Sequence, residues 1–149
     1  MVHFGSAYLN VHDLIFTKIS PVSLKTILLV EDELLLREGV QETLEVHGYA
    51  VIGAADGIEA LDWLEQTTVS LIITDLVMPN MNGAEFIEKV REKQPNLPII
   101  LASGSTNTVR TRLGIESIDV LGATTSITKP FKSKDLVLMV EKLLAEASA

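Results

Sequence analysis

From Thr26 onward, apolar runs rich in branched residues alternate with longer segments in which apolar residues recur every three or four positions. The apolar runs predict β-strands, and the periodic segments between them predict helices. The predicted strands lack a clean apolar–polar alternation, which indicates a sheet buried on both faces, and strands separated by helices are typical of a parallel α/β sheet. The five predicted strands are Ile27–Val30, Ala50–Ala54, Leu71–Thr74, Ile99–Ala102 and the shorter Ser126–Thr128.

The segments between these strands have the apolar spacing of helices and residues that are typical of helix ends. Leu36, Val40 and Leu44 recur every four residues and place an apolar stripe along the first helix. Gly48 marks where that helix should stop, and Ser133 is a candidate cap for the last helix. The predicted helices span Leu34–His47, Gly57–Glu65, Ala84–Lys93, a stretch within Thr106–Leu121, and Lys134–Ala147.

The first 24 residues differ from the rest of the chain because they have no strong period. Tyr8, Val11, Ile15 and Ile19 could line one side of a short helix. We treat residues 1–24 as an N-terminal extension of unknown role and residues 25–149 as one domain. A chain of 149 residues is long enough for a single sizeable core.

Composition excludes several classes of protein. The chain has no cysteine, so disulfides and thiolate metal sites are ruled out, and a reducing, cytoplasmic location is expected. A formal net charge of -8 argues against direct binding of nucleic acid, which needs a basic surface. No apolar run approaches the roughly 18 residues of a membrane helix, so membrane insertion is not expected.

Polar side chains stand at the ends of four predicted strands. Glu31 and Asp32 follow the first strand, Asp75 the third, Ser103 the fourth and Lys129 the fifth. Taken alone, each has an ordinary structural explanation, such as a turn or helix cap for Asp75. Ligands of open parallel α/β sheets bind beyond the carboxyl ends of the strands, so all five side chains are expected at one edge.

Three acids, a hydroxyl and an ammonium at one edge suit a phosphoryl group held with a divalent cation. Mg²⁺ takes oxygen ligands, often one or two carboxylates with waters and phosphate oxygens, and it would relieve the repulsion among the acids. With the cation present, Asp75 could act as a nucleophile and form an aspartyl phosphate. Lys129 supplies a positive charge and Ser103 a short hydrogen-bond donor for phosphoryl oxygens.

Four sequence blocks resemble, in order, the signature blocks of response-regulator receiver domains of two-component signalling. They are "ILLVEDE", "LIITDLVMPNMNG", "PIILASGS" and "TKPF", and the resemblance covers about residues 25–147. It implies a flavodoxin-like, doubly wound, five-stranded parallel sheet of order 2-1-3-4-5. It also implies that Asp75 is the phosphoacceptor, that Ser103 takes the place of the switch hydroxyl, and that Lys129 takes the place of the invariant lysine.

The same resemblance implies a magnesium site and a set of partners. Asp32 and Asp75 should bind Mg²⁺ directly, Glu31 through water, and Val77 through its backbone carbonyl, and the Lys129–Pro130 bond should be cis. The phosphodonor should be a histidine kinase or a histidine phosphotransfer protein. A protein of this family is not an enzyme beyond catalysing its own phosphorylation and dephosphorylation. The sequence does not identify the downstream protein target and leaves a homodimer open.

Three alternatives remain open at this point. The chain could be a receiver fragment of a larger response regulator or hybrid kinase, or a pseudo-receiver that serves only as a docking module. A Mg²⁺-dependent phosphatase acting through an aspartyl intermediate is the third. Such phosphatases commonly carry a second acid two residues after the nucleophile, and Val77 at that position counts against turnover.

The chain departs from the resemblance on the face that receivers use for output. Ser126 stands where the family usually has Tyr or Phe, whose ring turns inward when the switch hydroxyl moves, so this chain lacks the ring at that position. The segment between Ser103 and Gly122 is about one helical turn longer than in typical receivers, so we expect a broken or shifted helix there. By the same resemblance, Val77 and Ser105 correspond to variable positions that flank the path of the hydrolytic water in receivers, and an apolar Val77 predicts a long-lived aspartyl phosphate.

Overall fold

A computed structural model describes residues 2–4, 7–9, 24–104 and 122–148. Within residues 24–104 and 122–148, strands and helices alternate as the apolar pattern predicts. Strands β1 to β5 are Thr26–Val30, Ala50–Ala54, Leu71–Asp75, Ile99–Ser103 and Thr125–Thr128. Helices α1 to α4 are Leu34–Val46, Gly57–Gln66, Gly83–Lys93 and Ser133–Ala147. The predicted helix within Thr106–Leu121 lies outside the described residues.

The five strands form one parallel sheet in the order β2-β1-β3-β4-β5. This confirms the predicted doubly wound, flavodoxin-like topology. The register pairs Val30 with Thr74, Asp75 with Ala102, and Ser103 with Thr128. The carboxyl ends of β1, β3, β4 and β5 therefore lie side by side, at the edge where the polar residues were predicted to meet.

Helices cover the sheet on both faces, and successive strand residues feed two separate cores. One core joins Leu28, Ile72 and Leu101 to Phe86 and Ile87 of α3. The second core joins the neighbouring strand residues to the apolar faces of α1 and α4; its members include Ile27, Leu29, Ile73, Ile100, Leu44, Leu136 and Val140. Because side chains alternate between the faces of a strand, an unbroken apolar run supplies both cores at once.

Specific residues end or cap the helices, and most of them have the chemistry expected for that role. Gly48 follows the end of α1 with a φ of +92°, a conformation that glycine adopts without the cost other residues meet. Asp56 caps α2 and Asn82 caps α3, each accepting a hydrogen bond from a backbone N–H three residues on. The prediction that Ser133 caps α4 was wrong. Lys132 is the extended residue before the helix, and Ser133 is already helical.

The N-terminal extension contains a short antiparallel hairpin that pairs Val2–Phe4 with Ala7–Leu9. Tyr8 lies in the second strand of this hairpin, so the predicted helix was wrong at that position. Aromatic residues are common in strands. The predicted helix rested on a single apolar residue in each turn, which is too few to establish a helical period. Val11, Ile15 and Ile19 lie outside the described residues. None of the helices in the described ranges is long and apolar enough to cross a bilayer.

Candidate functional site

The polar residues predicted at the strand ends meet at the carboxyl edge of the sheet. The Lys129 ammonium donates hydrogen bonds to Glu31 Oε1 at 2.9 Å and to Asp75 Oδ2 at 3.1 Å. These contacts connect residues 98 and 54 positions apart in the sequence. The Glu31 side chain is only 6% exposed and that of Asp75 13% exposed, so the ion pairs are shielded from bulk water. One lysine thus neutralises part of a cluster that contains three acids.

Ser103 ends β4 beside this pair. It is buried, and its backbone carbonyl accepts a hydrogen bond of 2.7 Å from the Lys129 N–H. This hydrogen bond holds Lys129, the first residue after β5, next to the last residue of β4. The Lys129–Pro130 peptide bond is cis, as the resemblance implied. Ser126 lies within β5 and is exposed, whereas Ser105 lies outside the described residues.

Burial and neighbouring charges shift the pKa values of two residues in this cluster. Burial raises the pKa of Glu31 to about 7, the nearby Asp75 carboxylate adds to the increase, and the hydrogen bond from Lys129 offsets part of it. Burial alone would lower the pKa of the Lys129 ammonium, but its contacts with Glu31 and Asp75 outweigh burial and raise it. The second oxygen of Glu31, Oε2, is buried and has no hydrogen-bond partner within the described part of the chain. An unpartnered buried carboxylate oxygen is costly, and a cation or its water shell would satisfy it.

The same residues fit a hard divalent cation. Glu31, Asp32 and Asp75 each offer a carboxylate oxygen, and the three oxygens lie within 4.8 Å of one another. Mg²⁺ prefers oxygen ligands and commonly binds through one or two carboxylates while keeping several waters. Val77 lies in the loop after β3, two residues beyond Asp75, and its proposed carbonyl contact stays a prediction.

We expect Mg²⁺ to raise the thermal stability of the protein. At a Mg²⁺ concentration ten times its Kd, stabilisation is about 1.4 kcal/mol, which corresponds to a rise in Tm of roughly 5 °C for a domain of this size. Differential scanning fluorimetry with MgCl₂, compared with NaCl at equal ionic strength, measures the shift. Asp32→Asn should remove most of it. Equal shifts in the two salts would contradict a specific site.

The loop that follows Asp75, the last residue of β3, is held in place by backbone contacts. Asp75 Oδ1 accepts a hydrogen bond of 2.7 Å from the N–H of Leu76. Gly83, the first residue of α3, donates its N–H to the Leu76 carbonyl at 2.7 Å. A Cβ at Gly83 would lie 2.3 Å from the Asp75 carbonyl oxygen and 2.8 Å from the Leu76 Cα. Only glycine permits this approach of helix to loop, and the signal was the glycine that closes "LVMPNMNG".

A second contact connects the loop to α2. Asn80, which has a φ of 68°, donates its side-chain amide to Asp56 Oδ2 at 2.8 Å, while Asp56 Oδ1 caps α2. Asparagine tolerates the left-handed conformation better than most residues, which explains its place in this turn. Sequence reasoning missed this pair because the two residues are 24 positions apart and no local pattern relates them.

The sequence of this chain is similar to a protein-family model and to several known proteins. Residues 27–141 match the family model described as "Response regulator receiver domain". The chain is 36% identical over 119 residues to the aerobic respiration control protein ArcA of Escherichia coli (strain K12), covering 80% of this chain and 48% of ArcA. It is 36% identical over 121 residues to histidine kinase P4 of Formosa agariphila, covering 80% of this chain and 8% of the kinase. This chain therefore spans about half the length of ArcA.

A solved structure supports the same comparison. The chemotaxis response regulator CheY4 of Vibrio cholerae superposes with a TM-score of 0.71 and 32% sequence identity. The match covers 81% of this chain and 99% of that protein.

Proposed function

This chain belongs to the response-regulator receiver family, and on that premise we propose that it is a phosphoacceptor domain of a two-component phosphorelay, with Asp75 as the acceptor. The observation that carries the proposal is the pair of hydrogen bonds from Lys129 to Glu31 and Asp75, next to a third acid, Asp32. A carboxylate nucleophile, a fixed ammonium and a candidate cation site stand together there, which is what phosphoryl transfer to an aspartate needs.

In the proposed reaction, a carboxylate oxygen of Asp75 attacks the phosphorus atom of a phosphohistidine. A P–O bond forms as the P–N bond breaks, and the donor imidazole leaves with the electron pair of that bond. The N–H of Leu76 fixes one oxygen of Asp75, so the carboxylate is oriented before the donor arrives. Lys129 already contacts the other oxygen, so its ammonium is placed to hold the incoming phosphoryl oxygens.

Ser103 is proposed to donate its hydroxyl to an oxygen of the new phosphoryl group, from the strand beside Asp75. Bound Mg²⁺ would supply positive charge against the clustered acids and the phosphoryl oxygens. Asp32 and Asp75 would hold the ion directly and Glu31 through a water, together with the proposed carbonyl of Val77. The donor is proposed to be a histidine kinase or a histidine phosphotransfer protein in the cytoplasm, and output is proposed to proceed by contact with a further protein.

A second candidate has support from the relatives. ArcA and histidine kinase P4 match this chain over only part of their own lengths. The sequence could accordingly act as the receiver domain of a larger regulator or hybrid kinase, with the same chemistry at Asp75. A docking module without chemistry is not favoured, because the site keeps its acids and its lysine in contact.

The test is incubation with acetyl phosphate, with MgCl₂ or with EDTA, followed by a phosphate-affinity gel. We expect a retarded band only with Mg²⁺, and neutral hydroxylamine should remove it because it cleaves acyl phosphates. Hydrolysis of p-nitrophenyl phosphate, assayed in parallel, should stay at the background rate. Absence of a band with acetyl phosphate and with a panel of phosphorylated kinases would overturn the proposal, and sustained turnover of the ester would favour a phosphatase.

Val77→Asn is expected to shorten the lifetime of the proposed aspartyl phosphate. Val77, two residues after the acceptor, is 41% exposed, and its apolar side chain cannot hydrogen-bond a water, whereas an amide side chain could orient one. One net hydrogen bond of about 1 kcal/mol corresponds to roughly fivefold faster hydrolysis. Loss of the band after removal of the donor measures the rate, with Val77→Leu as the apolar control. Equal decay rates in the Asn variant and the wild type would refute the prediction.

A further inference from the structure

One arginine outside the acid cluster reaches the backbone of that cluster. Arg37, in the first turn and a half of α1, donates from Nη1 to the carbonyl of Glu31 at 2.6 Å. The guanidinium is always charged, and a bond from it to a carbonyl is stronger than one between neutral groups. Arg37 also lines the same small cavity as Glu31, Asp75 and Lys129. Its guanidinium therefore reaches from α1 to the backbone at the start of the acid cluster.

The path of this side chain depends on a glycine in the neighbouring strand. A Cβ at Gly53 of β2 would lie 3.2 Å from Arg37 Cδ and 3.5 Å from Arg37 Nε. Gly53 does not have a positive φ, so its backbone conformation does not require glycine. The glycine instead leaves room for Arg37 to cross the strand and reach the Glu31 carbonyl.

These contacts fix both backbone groups of Glu31. Its N–H donates to the Ala54 carbonyl of β2 at 2.9 Å, and its carbonyl accepts from Arg37. β1 ends at Val30, one residue earlier, so the sheet does not supply a partner for this carbonyl. The peptide between Glu31 and Asp32 is thus oriented by a side chain, and it carries two of the three acids.

We infer that Arg37 is a positioning residue for the cation site, which orients the Glu31–Asp32 peptide so that the two carboxylates converge with Asp75. This inference rests on the proposed function, because it assigns Arg37 to the site at which that function takes place. Residues that orient metal ligands typically contribute 10- to 100-fold to metal affinity. A solvated surface arginine would contribute nothing to that affinity.

The test is Mg²⁺ binding to Arg37→Met, measured by isothermal titration calorimetry on the full chain. Methionine keeps an unbranched side chain on α1 but removes the donor and the charge. We expect the Kd for Mg²⁺ to rise by about 10-fold or more. Gln41→Ala is the matched control, because Gln41 of α1 also lies against Gly53, but its side-chain amide donates a hydrogen bond to exposed Glu45 and not to the backbone of the site. A Kd for Arg37→Met within twofold of the wild-type value overturns the inference.

Gly53→Ala perturbs the same path without removing the arginine. We expect a rise in the Kd for Mg²⁺ that is smaller than that of Arg37→Met, with stability unchanged or increased because alanine orders a strand at lower entropic cost. In the Arg37→Met background, Gly53→Ala should change the Kd by less than about twofold, because the two changes act through one contact. An equal rise in both backgrounds would show that Gly53 does not act through Arg37.

Phosphorylation separates this inference from the proposed function. With acetyl phosphate, Arg37→Met should need more Mg²⁺ for half-maximal labelling, while the rate at saturating Mg²⁺ approaches that of the wild type. A wild-type protein that binds Mg²⁺ but takes no phosphoryl group would overturn the proposed function and leave the binding test of Arg37 intact. Labelling of both proteins with the same half-saturating Mg²⁺ would overturn the role of Arg37 alone.

Discussion

Asp75→Asn is expected to abolish labelling by acetyl phosphate or a cognate kinase, a loss of more than roughly 10³-fold in rate. Asparagine has nearly the same shape, and its carbonyl oxygen can still accept the hydrogen bond from the Leu76 N–H. The amide is not a nucleophile at neutral pH, however, and it brings no negative charge to Lys129 or to the cation. The chemical step should therefore disappear while the fold remains. The phosphate-affinity gel described above measures the loss.

Asp62→Asn is the matched control, because it makes the same change at an exposed acid of α2, away from the carboxyl edge. It should be labelled like the wild type. Circular dichroism and thermal unfolding of both variants should show a native fold. Persistent Mg²⁺-dependent labelling of Asp75→Asn would mean that another residue accepts the phosphoryl group.

Gly83→Ala is expected to lower the free energy of unfolding by about 2–3 kcal/mol. The new methyl group would lie 2.3 Å from the Asp75 carbonyl oxygen, and backbone atoms cannot step aside as a flexible side chain can. Either α3 or the loop after β3 must shift. In an unobstructed helix position the same substitution would gain up to about 1 kcal/mol from helix propensity. Urea unfolding followed by far-UV circular dichroism measures the change.

Gly39→Ala provides the comparison for this glycine. Gly39 lies inside α1, and a Cβ there would meet nothing within 4 Å. We expect this variant to be more stable than the wild type by about 0.5–1 kcal/mol. If both glycine variants change stability in the same direction, the close approach at Gly83 does not govern the result. Slower phosphorylation of Gly83→Ala would further show that the approach positions Asp75.

Most of the sheet could be predicted from the sequence because each strand is a short, branched apolar run between helical periods. The strand Ala50–Ala54 was found with the predicted bounds, and the others differ by one residue at an end. Ser133 shows the limit of this reasoning. A serine before a helix has the chemistry of a cap, but the backbone conformation selects the capping residue, and here Lys132 is the last extended residue.

The sequence predicts those residues of the site that stand at the carboxyl ends of strands. Glu31, Asp75 and Lys129 follow from the rule that parallel strands end at one edge, and the structure places them in contact. Arg37 and Gly53 could not be found in this way. Their contact depends on the register between β1 and β2 and on the path of one long side chain, neither of which leaves a periodic signal in the sequence.

The ion pairs of Lys129 connect an edge strand of the sheet to its centre. Lys129 stands at the start of the short connection between β5, an edge strand, and α4, while both of its partners lie at the ends of central strands. Attraction between unlike charges pulls this connection toward the middle of the sheet with a force that varies with the charge on Asp75. A change in the charge on Asp75 would therefore alter how strongly Lys129, the first residue after the edge strand, is attracted to the centre of the sheet.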